Sequence, residues 1–357
     1  MLTKLRRELL RLMMKTAIKH PLLRCVPCID NAVINWNLFQ KNYETQYSHP
    51  DISTVVCDDN VKILDLSCTS GFGETVHPDV LYAANGWGCG NWKYLMSITP
   101  FPRGAEYFEN PEFLVSYDGI EWHIPEGVNS PLVAAPYDWL GYNSDPSLFL
   151  DDGKLYMLYR DFRENAKNAA LRILLMSSDD GIRWSGPAVI MECSRPRKDV
   201  AVMMSPSVLK INGEYIMWYV SSDSEGRHRI YRRVSCDLST WSQEKLTELF
   251  SFPSDEEPWH LDVAECGCGV LIMALCSFQK DSYRQKRITF AKSSDGGFSW
   301  NFTGNFIEPG YSGFGKKSLY RPSLSFDEAK NEWLMYYSGQ DLGNHWYTAV
   351  TSVNQYI

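Results

Sequence analysis

The sequence is short of positive charge: 35 Lys and Arg stand against 43 Asp and Glu over 357 residues, a net charge of −8. No basic stretch interleaved with aromatics offsets that balance. This excludes a general nucleic-acid binder, which needs clustered Lys and Arg to neutralise phosphates. Metal-type cysteine spacing is scarce as well. Of ten cysteines only Cys25 and Cys28 form a C-x-x-C pair, and no second pair or His pair follows at zinc-site distance, so no metal site is expected there. Irregular spacing without a secretion signal points to free thiols in a reducing, cytoplasmic setting. Long apolar runs are missing from residues 1–24, where charges interrupt every run before the core of a secretory signal can form, and the segment is too short in apolar residues to cross a bilayer.

What residues 1–24 do contain is Leu2, Leu5, Leu9, Leu12, Met13 and Ile18 at helical spacing, with seven basic residues against Glu8. Such a basic amphipathic helix suits either peripheral contact with an anionic membrane surface or docking on the rest of the protein or a partner, and both readings stand. Residues 25–56 show no clean period and are expected to form a wrapping linker.

From residue 57 onward the chain repeats. Ser144-Asp145-Pro146-Ser147 opens an apolar stretch that turns at Asp152-Gly153 and returns as an alternating strand. Related openings are His77-Pro78-Asp79-Val80, Ser205-Pro206-Ser207-Val208, His260-Leu261-Asp262-Val263 and Arg321-Pro322-Ser323-Leu324. His77, Asp145, Ser205, His260 and Arg321 lie 68, 60, 55 and 61 residues apart, about one sheet module each. The expected architecture is all-β: a five-bladed β-propeller over residues 57–357, with the strand Val61–Leu66 completing the last blade and closing the ring. A second frame, S-x-D-x-x-x-W, recurs at Ser116–Trp122, Ser178–Trp184 and Ser235–Trp241, with one extra residue at Ser293–Trp300. It is read as structural, with the Asp holding a tight turn and the Trp packing between sheets.

Opening strands line a propeller's axis, so the residues beside each repeated Pro should converge on one pit. That list supplies the candidate site. Asp145 is the first choice for a general base, Asp79 the second; Asp262, Glu74 and Glu109 are candidates for the acid, Glu74 because Ser70-Gly-Phe-Gly-Glu74 precedes the first pit strand and is matched by Ser312-Gly-Phe-Gly315 before the fifth. His77, His260, Arg321 and Ser205 are expected to contact substrate. Among the 12 Trp and 20 Tyr a few can serve as platforms for a sugar ring, with Trp87 the chosen candidate. His77 and His260 are alternatively structural, or hold an ion at the channel centre.

The pattern of modules resembles the five-bladed propeller glycosidases of glycoside hydrolase family 43, with relatives in families 32, 117 and 130. The resemblance implies that Asp145 of Asp145-Pro146 is a general base and that Asp79 of Pro78-Asp79-Val80 tunes and orients. It implies no required cofactor; some relatives hold a central calcium. The family's third carboxylate, a Glu on a Glu-Gly-Pro strand, is absent here, where the strand reads Met204-Ser205-Pro206. The leading expectation is therefore cleavage of a glycosidic bond in an oligo- or polysaccharide by carboxylate acid/base chemistry, with inversion if water fits between the acids. Two alternatives stand beside it: a catalytically silent propeller that binds or scaffolds glycans, and a phosphorylase, for which Arg195, Arg197 and Lys198 offer a basic cluster.

Overall fold

The computed structural model describes residue 55 and residues 60–68, 73–104, 106–134, 141–163, 171–193, 201–280, 286–310 and 313–357. The expected N-terminal helix, most of the linker, the Cys25–Cys28 pair and the cluster Arg195–Lys198 lie outside the described residues. No helix among the described residues is long and apolar enough to cross a membrane.

The described chain forms twenty strands in five sheets. In chain order these are β1 (Val61–Ile63), then β2 (Thr75–Trp87), β3 (Trp92–Pro100) and β4 (Glu112–Ser116) as blade one. Blade two is β5 (Gly141–Asp151), β6 (Lys154–Arg163), β7 (Leu171–Ser178) and β8 (Ala188–Cys193). Blade three is β9 (Met204–Ile211), β10 (Glu214–Ser222), β11 (His228–Ser235) and β12 (Lys245–Leu246). Blade four contains β13 (Glu248–Phe250), β14 (Glu256–Glu265), β15 (Leu271–Gln279), β16 (Lys286–Ser293) and β17 (Ser299–Ile307); β13 adds to its outer edge by parallel pairing with β17. Blade five is β18 (Ser318–Asp327), β19 (Glu332–Gln340) and β20 (Trp346–Ser352), with β1 as its outermost strand, paired antiparallel to β20 in the register Val61↔Thr351. The expected ring of five blades closed by an early strand is the observed one. The closing strand ends at Ile63, after which Leu64 and Leu66 turn inward to the core between blades five and one.

Five apolar clusters among the described residues hold the ring together, one at each blade junction. Trp218, Trp300 and Met273 fill the junction of blades three and four, for example, and Tyr94, Trp122 and Tyr336 that of blades five and one. The repeated S-x-D-x-x-x-W frames build these junctions. In the first, Asp118 Oδ1 accepts the Ile120 and Glu121 amides at 2.8 Å, Ser116 Oγ accepts that of Gly119 at 2.9 Å, and the Trp122 indole N–H donates to Gly119 O at 3.1 Å. Asp180 and Asp237 repeat the pattern, with Leu238 at φ +65° standing where the others have Gly. Each turn docks on the preceding blade. A Cβ on Gly297, at φ +77°, would lie 2.4 Å from the Trp218 ring, so only glycine lets that turn close on its neighbour.

Around the axis, a circuit of side chain to backbone hydrogen bonds joins every blade to the next. Asp79 accepts the Leu148 amide at 2.9 Å, and Asp145 that of Ser205 at 3.2 Å. Ser207 accepts the Val263 amide at 3.1 Å and Asp262 that of Leu324 at 2.7 Å. Ser323 completes the circle by accepting the Val80 amide at 2.8 Å. Innermost strands would otherwise present unpaired amides to a narrow channel; these short polar side chains satisfy them.

Candidate active site

Each innermost strand carries a bulge at the same level, where the ladder register shifts: between Val76 and Asp79, Ser144 and Ser147, Pro258 and His260, and Tyr320 and Pro322, with the matching shift in blade three read on β10 between Trp218 and Val220. The repeated Pro, unable to donate to the ladder, explains the shift in four of the five blades. At the residue before it the backbone turns left-handed in three blades: φ is +60° at His77 and +50° at both Asp145 and Ser205. These bulges aim His77, Asp145 and His260 at one another above the circuit of blade-to-blade bonds.

Asp145 is the hub. Its Oδ2 accepts from Arg160 Nη1 at 2.7 Å and Ser144 Oγ at 2.9 Å; its Oδ1 accepts from Ser205 Oγ at 3.1 Å and lies 3.1 Å from His260 Nδ1. Burial opposes the charge on this carboxylate, but His77, Arg160 and His260 outweigh it and hold Asp145 well below the usual carboxylate range. Both imidazoles are neutral at pH 7, because burial lowers His77 to about 3 and His260 to about 4. Their tautomers follow from their partners. The Thr99 hydroxyl donates to Val76 O, so at 3.0 Å it accepts from His77 Nδ1 and leaves His77 Nε2 unprotonated, 3.9 Å from Asp145 Oδ1. His260 Nδ1 faces the Asp145 carboxylate, and its buried Nε2 has no hydrogen-bond partner.

Two neutral imidazoles and an ionised carboxylate whose donor atoms all lie within 4.8 Å of one another are a ligand set for a divalent cation. The orphaned His260 nitrogen is the observation that makes the fit specific, since a buried acceptor left unpaired is costly. Thr99 behind His77 fixes the orientation of its imidazole, the role an outer partner would have if His77 held a metal.

The three residues open into a cavity of about 580 Å³. Glu109 and Glu106 line it from the β3–β4 connection of blade one, Tyr142 and Arg160 from blade two, Trp259 from blade four and Tyr320 from blade five. Burial and the charges of Glu106 and Asp145 push the Glu109 carboxyl well above its ordinary value, which favours its protonated form.

The sequence candidates thus divide. His77, Asp145, His260 and Glu109 are on the cavity wall. Asp79 and Asp262 are not: both are buried beneath it, and each divides its oxygens between the next blade's amide and a neighbouring side chain, Arg321 at 3.0 Å for Asp79 and Ser207 at 2.9 Å for Asp262. Glu74 is fully buried and its Oε2 accepts the Trp346 amide at 3.1 Å. Arg321, expected to grip a sugar, is fully buried below the floor, where it bridges Asp79, Pro146 O and Asp145. Ser205 is likewise buried and committed to Asp145 and His260. Trp87 is no platform: it packs between blades one and two and donates its indole N–H to Gly153 O at 2.7 Å. Of the two Gly-rich loops, the described part of the second packs inward, with Phe314 against Tyr337 in the blade-five core.

Sequence reasoning missed Arg160, Tyr320 and Trp259. Arg160 was within reach: counting outward from the Asp152-Gly153 turn pairs it with Ser144, beside the hub. Trp259 and Tyr320 each directly precede an axial residue, His260 and Arg321, at the bulge.

No protein-family model matches the chain. A curated A type blood N-acetyl-α-D-galactosamine deacetylase from Flavonifractor plautii is 24% identical over 230 residues, 53% of this chain and 29% of that protein. The chain thus spans under a third of the length of the curated relative it matches. Among solved structures, that of an N-acetylgalactosamine deacetylase from F. plautii with blood group B trisaccharide superposes with a TM-score of 0.71 at 17% identity, covering 82% of this chain and 94% of that one. The chain has the five-bladed propeller fold that this enzyme shares with glycoside hydrolase family 43. A thermostable family-43 glycoside hydrolase gives a TM-score of 0.54 at 15% identity over 78% of this chain and 89% of that one. A xylan β-1,4-xylosidase from Bacillus halodurans gives 0.56 at 17% identity over 79% and 53%.

Proposed function

We propose that this chain is a metal-dependent hydrolase of an N-acetylated amino sugar in an oligosaccharide, cleaving the acetamide rather than a glycosidic bond. The observation that carries this reading is the pair of unprotonated imidazole nitrogens on His77 and His260 flanking an ionised Asp145. A carboxylate-pair glycosidase needs two acids facing each other across the substrate, and Asp79 and Asp262 are both committed below the floor. The likeness to a deacetylase in sequence and fold supports the same reading.

His77, Asp145 and His260 would hold the cation, which supplies Lewis-acid polarisation of the acyl oxygen and a more acidic water. The chain's own residues do the rest. Arg160 keeps Asp145 ionised and fixed through the 2.7 Å bond. Glu109 gives its proton to the nitrogen as the amide C–N bond breaks; water supplies its hydroxyl to the acyl carbon and its remaining proton to Glu109, which returns to the acid form as acetic acid and the free amine leave. Ala201 and Met204 give the wall an apolar stretch suited to the acetyl methyl.

A second reading has one observation behind it: Asp145 and Glu109 have carboxyl groups pushed in opposite directions, the arrangement of a base and an acid in an inverting glycosidase. One assay separates the two. Incubation with blood group A trisaccharide is expected to release acetate and leave the glycosidic bonds intact. Release of a free sugar without acetate would favour the second reading and overturn the first.

A further inference from the structure

Beyond Trp259 the cavity continues to a group that neither reading uses. Four rings stand in contact along this wall: Tyr320 to His260 at 4.3 Å between centroids, His260 to Trp259 at 5.4 Å, and Trp259 to His228 at 5.3 Å. His228 opens β11, lines the cavity, and is 7% exposed. Its placement is built from both sides: its amide donates to Glu257 Oε2 at 3.1 Å, and the Phe278 ring meets it edge-on at 5.5 Å.

The tautomer of His228 is fixed by its surroundings. Nδ1 lies 3.2 Å from Pro258 O, a carbonyl that can only accept, so Nδ1 carries the hydrogen and Nε2 the lone pair. Burial lowers the ring's affinity for a second proton, so the imidazole stays neutral. No hydrogen bond reaches Nε2 among the described residues. A neutral acceptor with one orientation, beside the Trp259 ring and the Glu257 carboxylate, matches what a sugar presents: hydroxyl donors on an apolar ring face.

We propose that His228 is a specificity-determining residue whose Nε2 accepts a hydroxyl of the sugar next to the one that reacts, so that the protein selects an oligosaccharide over a single N-acetylated sugar. This rests on the reading of the cavity as a carbohydrate site and names the substrate feature it reads. His228 does not touch the reacting acyl group. Losing it weakens the hold on the second sugar and acts on KM, while kcat on the bound oligosaccharide follows Glu109 and the ligand triad.

The experiment compares blood group A trisaccharide with methyl N-acetyl-α-D-galactosaminide, by acetate release and by titration calorimetry, on the native protein, His228→Phe and His228→Gln. Phe keeps the ring packing against Trp259 and Phe278 without an acceptor; Gln restores one. The expected result is a drop of about tenfold to a hundredfold in the trisaccharide-to-monosaccharide ratio of kcat/KM and of affinity in His228→Phe, carried by KM, with recovery in His228→Gln. On the native protein, trisaccharide analogues deoxygenated one hydroxyl at a time are expected to show one position whose removal costs the same factor, and which costs nothing further in His228→Phe. An unchanged ratio in His228→Phe, or no sensitive hydroxyl, overturns the proposal even where acetate release is normal. Binding with the expected ratio but without acetate release overturns the deacetylase reading and supports this one.

Discussion

Arg160 Nη1 meets Asp145 Oδ2 at 2.7 Å from the strand facing it, and both are buried. The pair is therefore a structural and an electrostatic unit at once. Asp145→Asn is expected to abolish turnover, more than a hundredfold, and to cost roughly 3 kcal/mol of stability by leaving a buried guanidinium without its counter-charge. Steady-state kinetics and thermal unfolding of the same sample check both. Full activity in the variant would remove Asp145 from the mechanism.

Metal removal gives a sharper test. Dialysis against a chelator is expected to eliminate acetate release and addition of a divalent cation to restore it, with His77→Gln and His260→Gln showing no restoration. Activity indifferent to chelation would favour the glycosidase pair.

Glu109 sets the alkaline limb. Its carboxyl is raised, so the protonated form persists to higher pH than an ordinary Glu and is lost as pH climbs through the raised value; kcat is expected to fall along that limb and Glu109→Gln to be inactive across it. The same shift has a cost in stability. The folded state binds this proton more tightly than the unfolded chain, so the contribution present below the unfolded pKa is lost as pH rises toward the folded one. Glu109→Gln removes that loss, and its Tm at pH 8 should equal or exceed that of the native protein.

Asp79 is a keystone of the ring. Asp79→Ala strands the Leu148 amide and removes one of the carboxylates on Arg321, both buried, and is expected to cost on the order of 3 kcal/mol, read as a lowered Tm. Gly297→Ala should cost a similar amount, about 2–4 kcal/mol, because its Cβ would overlap the Trp218 ring at a left-handed backbone position. A Tm within a degree of native for either variant would contradict the packing described.

Much of this fold was legible because the repeats carry physical markers. Pro beside a polar residue locates four of the five bulges, and Asp four or five residues before Trp locates four inter-blade turns. The outer strands were harder. Lys245–Leu246, Glu248–Phe250 and Ser299–Ile307 are largely exposed, so burial imprints only a short pattern on them. In the site, sequence position brought the five axial residues together correctly but did not separate levels within the pit. Asp79 and Asp262 sit two residues beyond His77 and His260 on the same strands, one step deeper, where a carboxylate joins blades instead of meeting a ligand. A reading by residue type ranks all of these acids alike; only depth tells them apart.

The bond from Thr351 Oγ1 to Asn60 O joins positions 291 residues apart, at the edge where β1 meets β20. A nascent chain emerging from the ribosome can assemble four blades in sequence, but it cannot shut the circle until this last partner has been translated. Until then the raw edge of β1 and the unfinished fifth sheet are open to pairing with other chains. Closing so long a loop carries the largest entropic toll in the fold, which makes this step the natural bottleneck of its biogenesis and the moment at which a chaperone would matter most.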